Sequence, residues 1–228
     1  MGARLVLLGP PGAGKGTLAA WLTEQHGLAH LSTGELFRQQ IRRRTALGNT
    51  VSRYVTSGQL VPDELVVRVM TSQLTRPLLR RGFVLDGFPR TTAQAQGLER
   101  FLESRNAPLT AAIALTSPVP VLLKRLSGRR VCGKCGAIYH VRNIPPKRAG
   151  ICDRCQSALI IRKDDQADTI RQRLRIDRAQ AKPLLTYYRR RGLLHGLHAD
   201  SSSGRMFTRA TRLLRAQGWL NARDGARA

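Results

Sequence analysis

Short apolar runs alternate along this chain with stretches in which apolar side chains recur every three or four residues. The runs cover residues 4–8, 28–31, 82–86, 111–115 and 194–199, each the length of a buried strand. Between them, helical spacing predicts helices over 18–26, 35–44, 47–57, 62–79, 92–105, 119–127, 168–191 and 206–217. Gly58 closes the third of these, Pro62 with Asp63 and Glu64 opens the fourth, and Pro183 is a bend point in the seventh. Residues 221–228 are expected to fray. Strands alternating with helices imply an α/β fold, a parallel sheet covered on both faces. In such folds ligands gather at the carboxyl ends of strands, where Gly9, Thr33, Asp86 and Asp200 fall.

The first strand runs into Gly9-Pro10-Pro11-Gly12-Ala13-Gly14-Lys15-Gly16-Thr17, and a helix follows. Strand, glycine loop and helix are the context in which such a string binds phosphate. The glycines let successive N–H groups curl toward one anion, the helix N-terminus adds partial positive charge, and Lys15 adds a mobile full charge. The general pattern G-x-x-x-x-G-K-[ST] is met at Gly9, Gly14 and Lys15, but Gly16 stands at the hydroxyl position and Thr17 comes next. The competing reading is a glycine-rich turn with an incidental lysine; flanking structure and spacing favour a nucleoside-phosphate site.

Asp86 ends an apolar strand, the place for a carboxylate that organises Mg²⁺ and its waters opposite a phosphate loop; a helix-capping aspartate is the alternative. Gly87-Phe88-Pro89-Arg90 follows, and an arginine there can fork onto a phosphate with two parallel bonds. Arg38, Arg125, Arg129, Arg162 and Arg173 lie beside turns or helix ends. Each alone reads as a surface residue, but phosphoryl transfer between two nucleotides requires several such cations. All four cysteines fall in Cys132-x2-Cys135-x16-Cys152-x2-Cys155, two knuckles able to close a tetrahedral thiolate site for structural Zn²⁺. Disulfides are the rival use of these residues.

The 228 residues carry 39 Lys and Arg against 14 Asp and Glu, a net charge of +25, and the excess is scattered rather than gathered in a tail. Anionic substrates combined with an arginine-rich composition account for it, with a nucleic-acid or ribosome partner as the alternative. No apolar run approaches the roughly 20 residues of a membrane span. Residues 1–5 lead straight into the first strand, so a cytoplasmic protein is expected.

Taken together, these residues resemble the adenylate kinases of the long-lid, zinc-bearing bacterial type. The phosphate loop, Ser32-Thr33-Gly34, Leu85 to Arg90, Gly128-Arg129-Arg130 and Arg162-Lys163-Asp164-Asp165 occur in that family's order, from about Arg4 to Gln217. The resemblance implies a P-loop nucleoside monophosphate kinase fold with a five-stranded parallel sheet. Its core would comprise 1–31, 62–127 and 165–220, with an AMP-binding lobe at 32–61 and a zinc lid at 128–164. ATP would lie on Gly12, Ala13, Gly14, Lys15, Gly16 and Thr17, with Arg129, Ile138, Tyr139 and Ser203 contributing. AMP would be held by Thr33, Arg38, Gln59, Leu60, Val61, Gly87, Phe88, Pro89, Arg90, Arg162 and Arg173, with Gln94 reading adenine. Lys15, Arg90, Arg125, Arg129, Arg162 and Arg173 would stabilise the transferred group, and Asp86 would order the waters of Mg²⁺. The implied reaction is ATP + AMP giving two ADP, by a monomer. The alternatives are a GTP:AMP phosphotransferase or a zinc-ribbon RNA-binding protein that keeps a P-loop. Leu18, Glu35 and Ala93 stand where the family commonly has Gln, Asp and Pro, and Asp200-Ser201-Ser202-Ser203 replaces an Asp-Gly turn beside the ATP adenine.

Overall fold

The computed structural model describes residues 2–199 and 202–219. Asp200 and Ser201, and the expected fraying of 221–228, lie outside the described residues. Five parallel strands form the central sheet: β1 (Arg4–Leu8), β2 (Ala29–Ser32), β3 (Phe83–Asp86), β4 (Ala111–Thr116) and β8 (Leu194–His198), in the order β2-β3-β1-β4-β8. Alternate side chains of each inner strand enter two different cores, which explains the unbroken apolar runs. Val6, Leu8, Phe83, Leu85, Ala112 and Ala114 enter one core, together with Phe37, Met70, Leu98 and Tyr188. Leu5, Leu7, Val84, Ile113 and Leu115 enter the other, together with Leu18, Leu22, Leu122 and Leu214. The register pairs Leu7 and Ser32 with Asp86, so the ends of β1, β2 and β3 arrive at one rim.

Helices α1 (Lys15–His26), α7 (Val119–Ser127) and α9 (Ser203–Ala216) cover one face. Helices α4 (Asp63–Gln73), α6 (Thr92–Glu103) and α8 (Ala167–Arg190) cover the other. Helices α2 (Thr33–Arg42) and α3 (Ala46–Ser57) pack as a pair so close that a side chain at Gly48 would meet the Gln40 carbonyl at 2.2 Å. The Ser32 hydroxyl caps α2 by accepting the Glu35 N–H, and Gly58 ends α3 at φ 75°.

The single helix expected over 62–79 is two, α4 and α5 (Arg76–Arg81), separated at Leu74 and Thr75. Pro77 is the reason: it has no N–H for a helix interior but fits the first turn of a new one. By contrast α8 continues through Pro183. The cysteine-bearing insertion holds a three-stranded antiparallel sheet, β5 (Arg129–Cys132) flanked by β6 (Ile138–His140) and β7 (Leu159–Ile160). A 3₁₀ turn over Lys163–Asp165 returns the chain to α8.

Candidate functional site

The glycine loop joins β1 to α1 with Gly9, Gly12 and Gly14 at positive φ, conformations that a side chain would oppose. Lys15 Nζ donates to the Gly9 carbonyl and to that of Pro10 at 3.0 Å, so the loop wraps its own lysine. Burial pushes the Lys15 pKa down to about 8, against the attraction of Asp86 and Asp177. Asp86 closes in on the loop because residue 16 has no side chain: a Cβ there would meet Asp86 Oδ2 at 3.2 Å and Ile138 Cδ1 at 3.6 Å. Burial would raise the Asp86 pKa, but His30, Lys15 and Arg90 outweigh it and hold the carboxyl ionised. His30 Nε2 lies 3.8 Å away, too far for a hydrogen bond, so its influence is through space. A carboxylate of this kind beside a phosphate loop suits Mg²⁺, which keeps most of its waters and takes few protein ligands.

A cluster of guanidiniums forms the opposite wall. Arg129 Nε donates to Asp165 Oδ2 at 2.7 Å while its Nη2 bonds Oδ1, and Arg173 Nη1 reaches Oδ1 at 3.2 Å and Asp164 Oδ2 at 3.0 Å. Arg38, from α2, comes within 3.9 Å of Asp164 and also bonds Glu35. Desolvation, then Arg38 and Arg129, lower the pKa of Arg162, whose buried Nε has no partner among the described residues. The Thr33 hydroxyl is buried and likewise unpartnered there. These two groups are what a site for an anion requires, since buried polar atoms are otherwise bonded. Arg90 bends back so that its Nε donates to the Gly87 carbonyl at 2.9 Å; the residue keeps exposed surface, yet desolvation of its guanidinium in the cleft lowers its pKa. Gln94 is 1% exposed beside it.

Most of the expected site residues meet here, but not all in the expected way. Arg125 lies at the end of β8, its Nη1 donating to the Ala199 carbonyl at 2.6 Å. Ile138 and Tyr139 face opposite ways, as neighbours on a strand must. Ile138 approaches Gly16, whereas the Tyr139 side chain is buried inside the cysteine-bearing insertion, where its hydroxyl accepts the Asp153 N–H at 2.8 Å and contacts Cys152 Sγ at 3.5 Å. The Tyr139 ring is therefore part of the insertion's own small core rather than of the cleft. Val61 is buried, Gln59 is exposed, and Ser203 starts α9 on the surface. Asp177, one turn beyond Arg173 on α8, was not singled out from the sequence; the i, i+4 spacing was its available signal. Burial raises its pKa against the pull of Lys15, Arg90 and Arg173.

Sγ atoms of Cys132, Cys135, Cys152 and Cys155 lie within 4.8 Å of one another, with the closest pairs at 3.3 and 3.5 Å. A tetrahedral ion with Zn–S bonds of about 2.3 Å needs sulfurs about 3.8 Å apart, so the set fits one. Hydrogen bonds from Ser157 lower the Cys155 pKa to about 6. The cysteine-bearing insertion rests on both neighbours: Gly136 sits against Glu35 of α2, and Arg154 pairs with Glu24 of α1 at 3.3 Å.

Residues 7–193 match the sequence profile of the family described as adenylate kinase. The chain is 44% identical over 211 residues to the adenylate kinase of Clostridium botulinum strain Hall, covering 92% of this chain and 98% of that protein. It is 50% identical over 191 residues to the adenylate kinase of Moorella thermoacetica, covering 84% of this chain and 88% of that one. The Clostridium tetani adenylate kinase is 42% identical over 212 residues, covering 93% and 98%.

Proposed function

The chain belongs to the adenylate kinase family, and from that premise we propose how its residues divide the work. The reaction is reversible phosphoryl transfer from ATP to AMP giving two ADP, which keeps the adenine nucleotides in balance. Among the described residues no helix is long and apolar enough to cross a membrane. In this reading the enzyme is cytoplasmic and monomeric, since one chain supplies groups for both nucleotides. Contact with nucleic acid would be nonspecific and driven by charge.

ATP phosphates lie on the N–H groups of Gly12 to Thr17, with Lys15 turning from the loop carbonyls onto the β- and γ-phosphates. Arg125 and Arg129 complete the donor side, and Ile138 closes over the loop. The Tyr139 side chain keeps the lid in shape, and Ser203 stands at the adenine end. The acceptor phosphate takes Arg38, Arg90 and Thr33, while Gln94 meets the base beside residues 59–61. Asp86 would hold Mg²⁺ brought in with ATP through the ion's water shell, and the ion would supply charge neutralisation at the phosphates. Arg162 and Arg173 bear on the phosphoryl group in flight, where fixed positive charge is worth most. No covalent intermediate is required. The four cysteines would hold a structural Zn²⁺, which would staple a lid whose own core is only a few side chains, and lid closure would exclude water that otherwise hydrolyses ATP.

The observation that carries this reading is the bridge through Asp164. It joins Arg38 of the acceptor side to Arg173, which Asp165 links in turn to Arg129 of the donor side, so both substrate halves share one charge network. A coupled assay for ADP with Mg·ATP and AMP, CMP, UMP or GMP as acceptor, and then with GTP as donor, tests it. Turnover confined to ATP with AMP is expected. An enzyme indifferent to the acceptor would overturn the assignment of Gln94, and activity with GTP would overturn that of the Ser203 end.

A further inference from the structure

Asp63 opens α4, and from the sequence alone it is no more than an acid in a helix's first turn. In the fold its Oδ1 accepts a hydrogen bond at 2.8 Å from Nε2 of Gln94, a residue 31 positions away. On the other side of the same amide, Oε1 of Gln94 accepts the main-chain N–H of Arg90 at 2.8 Å. The Gln94 N–H in turn bonds the Thr91 hydroxyl at 3.1 Å, which pins the first turn of α6. These partners leave the amide a single orientation. A main-chain N–H can only donate and a carboxylate can only accept, so turning the amide over would set donor against donor and acceptor against acceptor. At 1% exposure no water relieves either clash.

We propose that Asp63 is a positioning residue that makes this site select a 6-amino purine over a 6-oxo purine. The inference rests on the reading of Gln94 as the residue that meets the acceptor base. With its orientation fixed, the amide has one free N–H and one free lone pair in a set order. Adenine offers a ring acceptor at N1 beside an amino donor at position 6. Guanine and hypoxanthine offer a ring N–H beside a carbonyl, the reverse order on the same edge. A freely turning amide serves either edge, whereas one held by Asp63 and the Arg90 N–H serves adenine alone. Discrimination of this kind comes from groups that the wrong base leaves unpaired.

The test is the ratio of kcat/KM for AMP to that for IMP with Mg·ATP as donor, in the wild type, Asp63→Ala, Asp63→Asn and Glu64→Gln. Glu64 shares the first turn of α4, so Glu64→Gln reports the loss of a helix-start charge alone. Asp63→Ala is expected to lower the ratio about tenfold or more, the scale of one charge-assisted hydrogen bond. The change should sit in the acceptor KM, with the KM for ATP unmoved. Asp63→Asn keeps one acceptor and can match either orientation, so it should fall between, and it carries the test if the alanine variant does not fold. An unchanged AMP-to-IMP ratio in a folded Asp63 variant, or an equal fall in Glu64→Gln, overturns the proposal. Wild-type enzyme that fails to prefer AMP overturns the reading of Gln94 beneath it.

Discussion

Replacing Asp165 by asparagine should destabilise the protein more than any surface change, because this carboxylate is the anion between two guanidiniums at the lid's foot. Its side chain is 0% exposed, while those of Arg129 and Arg173 are 16% and 12% exposed. The substitution keeps the volume but removes the charge and turns an NH₂ toward one of the arginines. Arg173 retains Asp164 at 3.0 Å, whereas the fork that Arg129 makes on Asp165 is broken. Removing one partner of a buried pair costs about 3–5 kcal/mol. The remaining Asp164 contact and the partial solvent access of both guanidiniums bring the expectation to about 3 kcal/mol. For a chain of this length that corresponds to a fall in Tm of about 6–12 °C. Differential scanning calorimetry on both proteins measures it, and the difference should persist at raised salt, since buried pairs are poorly screened. A loss below about 0.5 kcal/mol, the size of an ordinary surface substitution, would refute the view that Asp165 holds the lid to α8.

Two further outcomes follow from the same charges. The ammonium form of Lys15 is the one that attracts phosphate, so kcat/KM for Mg·ATP should decline as pH rises through about 8. In the complex, phosphate raises the lysine pKa, which moves the break in kcat to higher pH; a kcat/KM unchanged well above pH 8 would exclude Lys15 as the titrating cation. Cys152→Ser, or removal of Zn²⁺ by a chelator, should lower Tm while leaving turnover at moderate temperature largely intact. Lost activity in a still-folded variant would show that the metal lobe does more than hold its own shape.

The sheet was legible because its inner strands are covered on both faces, which writes each as an uninterrupted apolar run such as Leu5 to Leu8. The curled glycine loop, the place of Arg90 after β3 and the gathering of the four cysteines were legible because each follows from a local spacing. What the sequence hid depends on partners far apart or on a choice of face. Pro77 marked a boundary, but it lies inside a stretch whose periodicity carries on without a break. The strands of the lid have two to four residues each and show no pattern of their own. Nothing local decides whether Ile138 or Tyr139 faces the cleft, because alternation fixes only that they differ. Asp63 and Gln94 have no shared motif; only the packing of α4 on α6 brings them together.

The cleft also bears on the basic charge of the chain. Lys15, Arg38, Arg90, Arg129, Arg162 and Arg173 have Asp86, Asp164, Asp165, Asp177 and Glu35 among them, so the site's own carboxylates nearly balance its cations. A surplus of +25 therefore cannot come from the need to bind phosphate in this cleft. It belongs to the outer surface, where arginines such as Arg68, Arg76, Arg80 and Arg105 stand exposed. Near-balance has its own consequence for catalysis. Guanidiniums held by Asp164 and Asp165 are aimed before any nucleotide arrives, and the two aspartates offset part of the repulsion among them. On the proposed assignment, a substrate phosphate would exchange with an aspartate for the same N–H groups, so the arginines would need little reorganisation as charge develops on the transferred group.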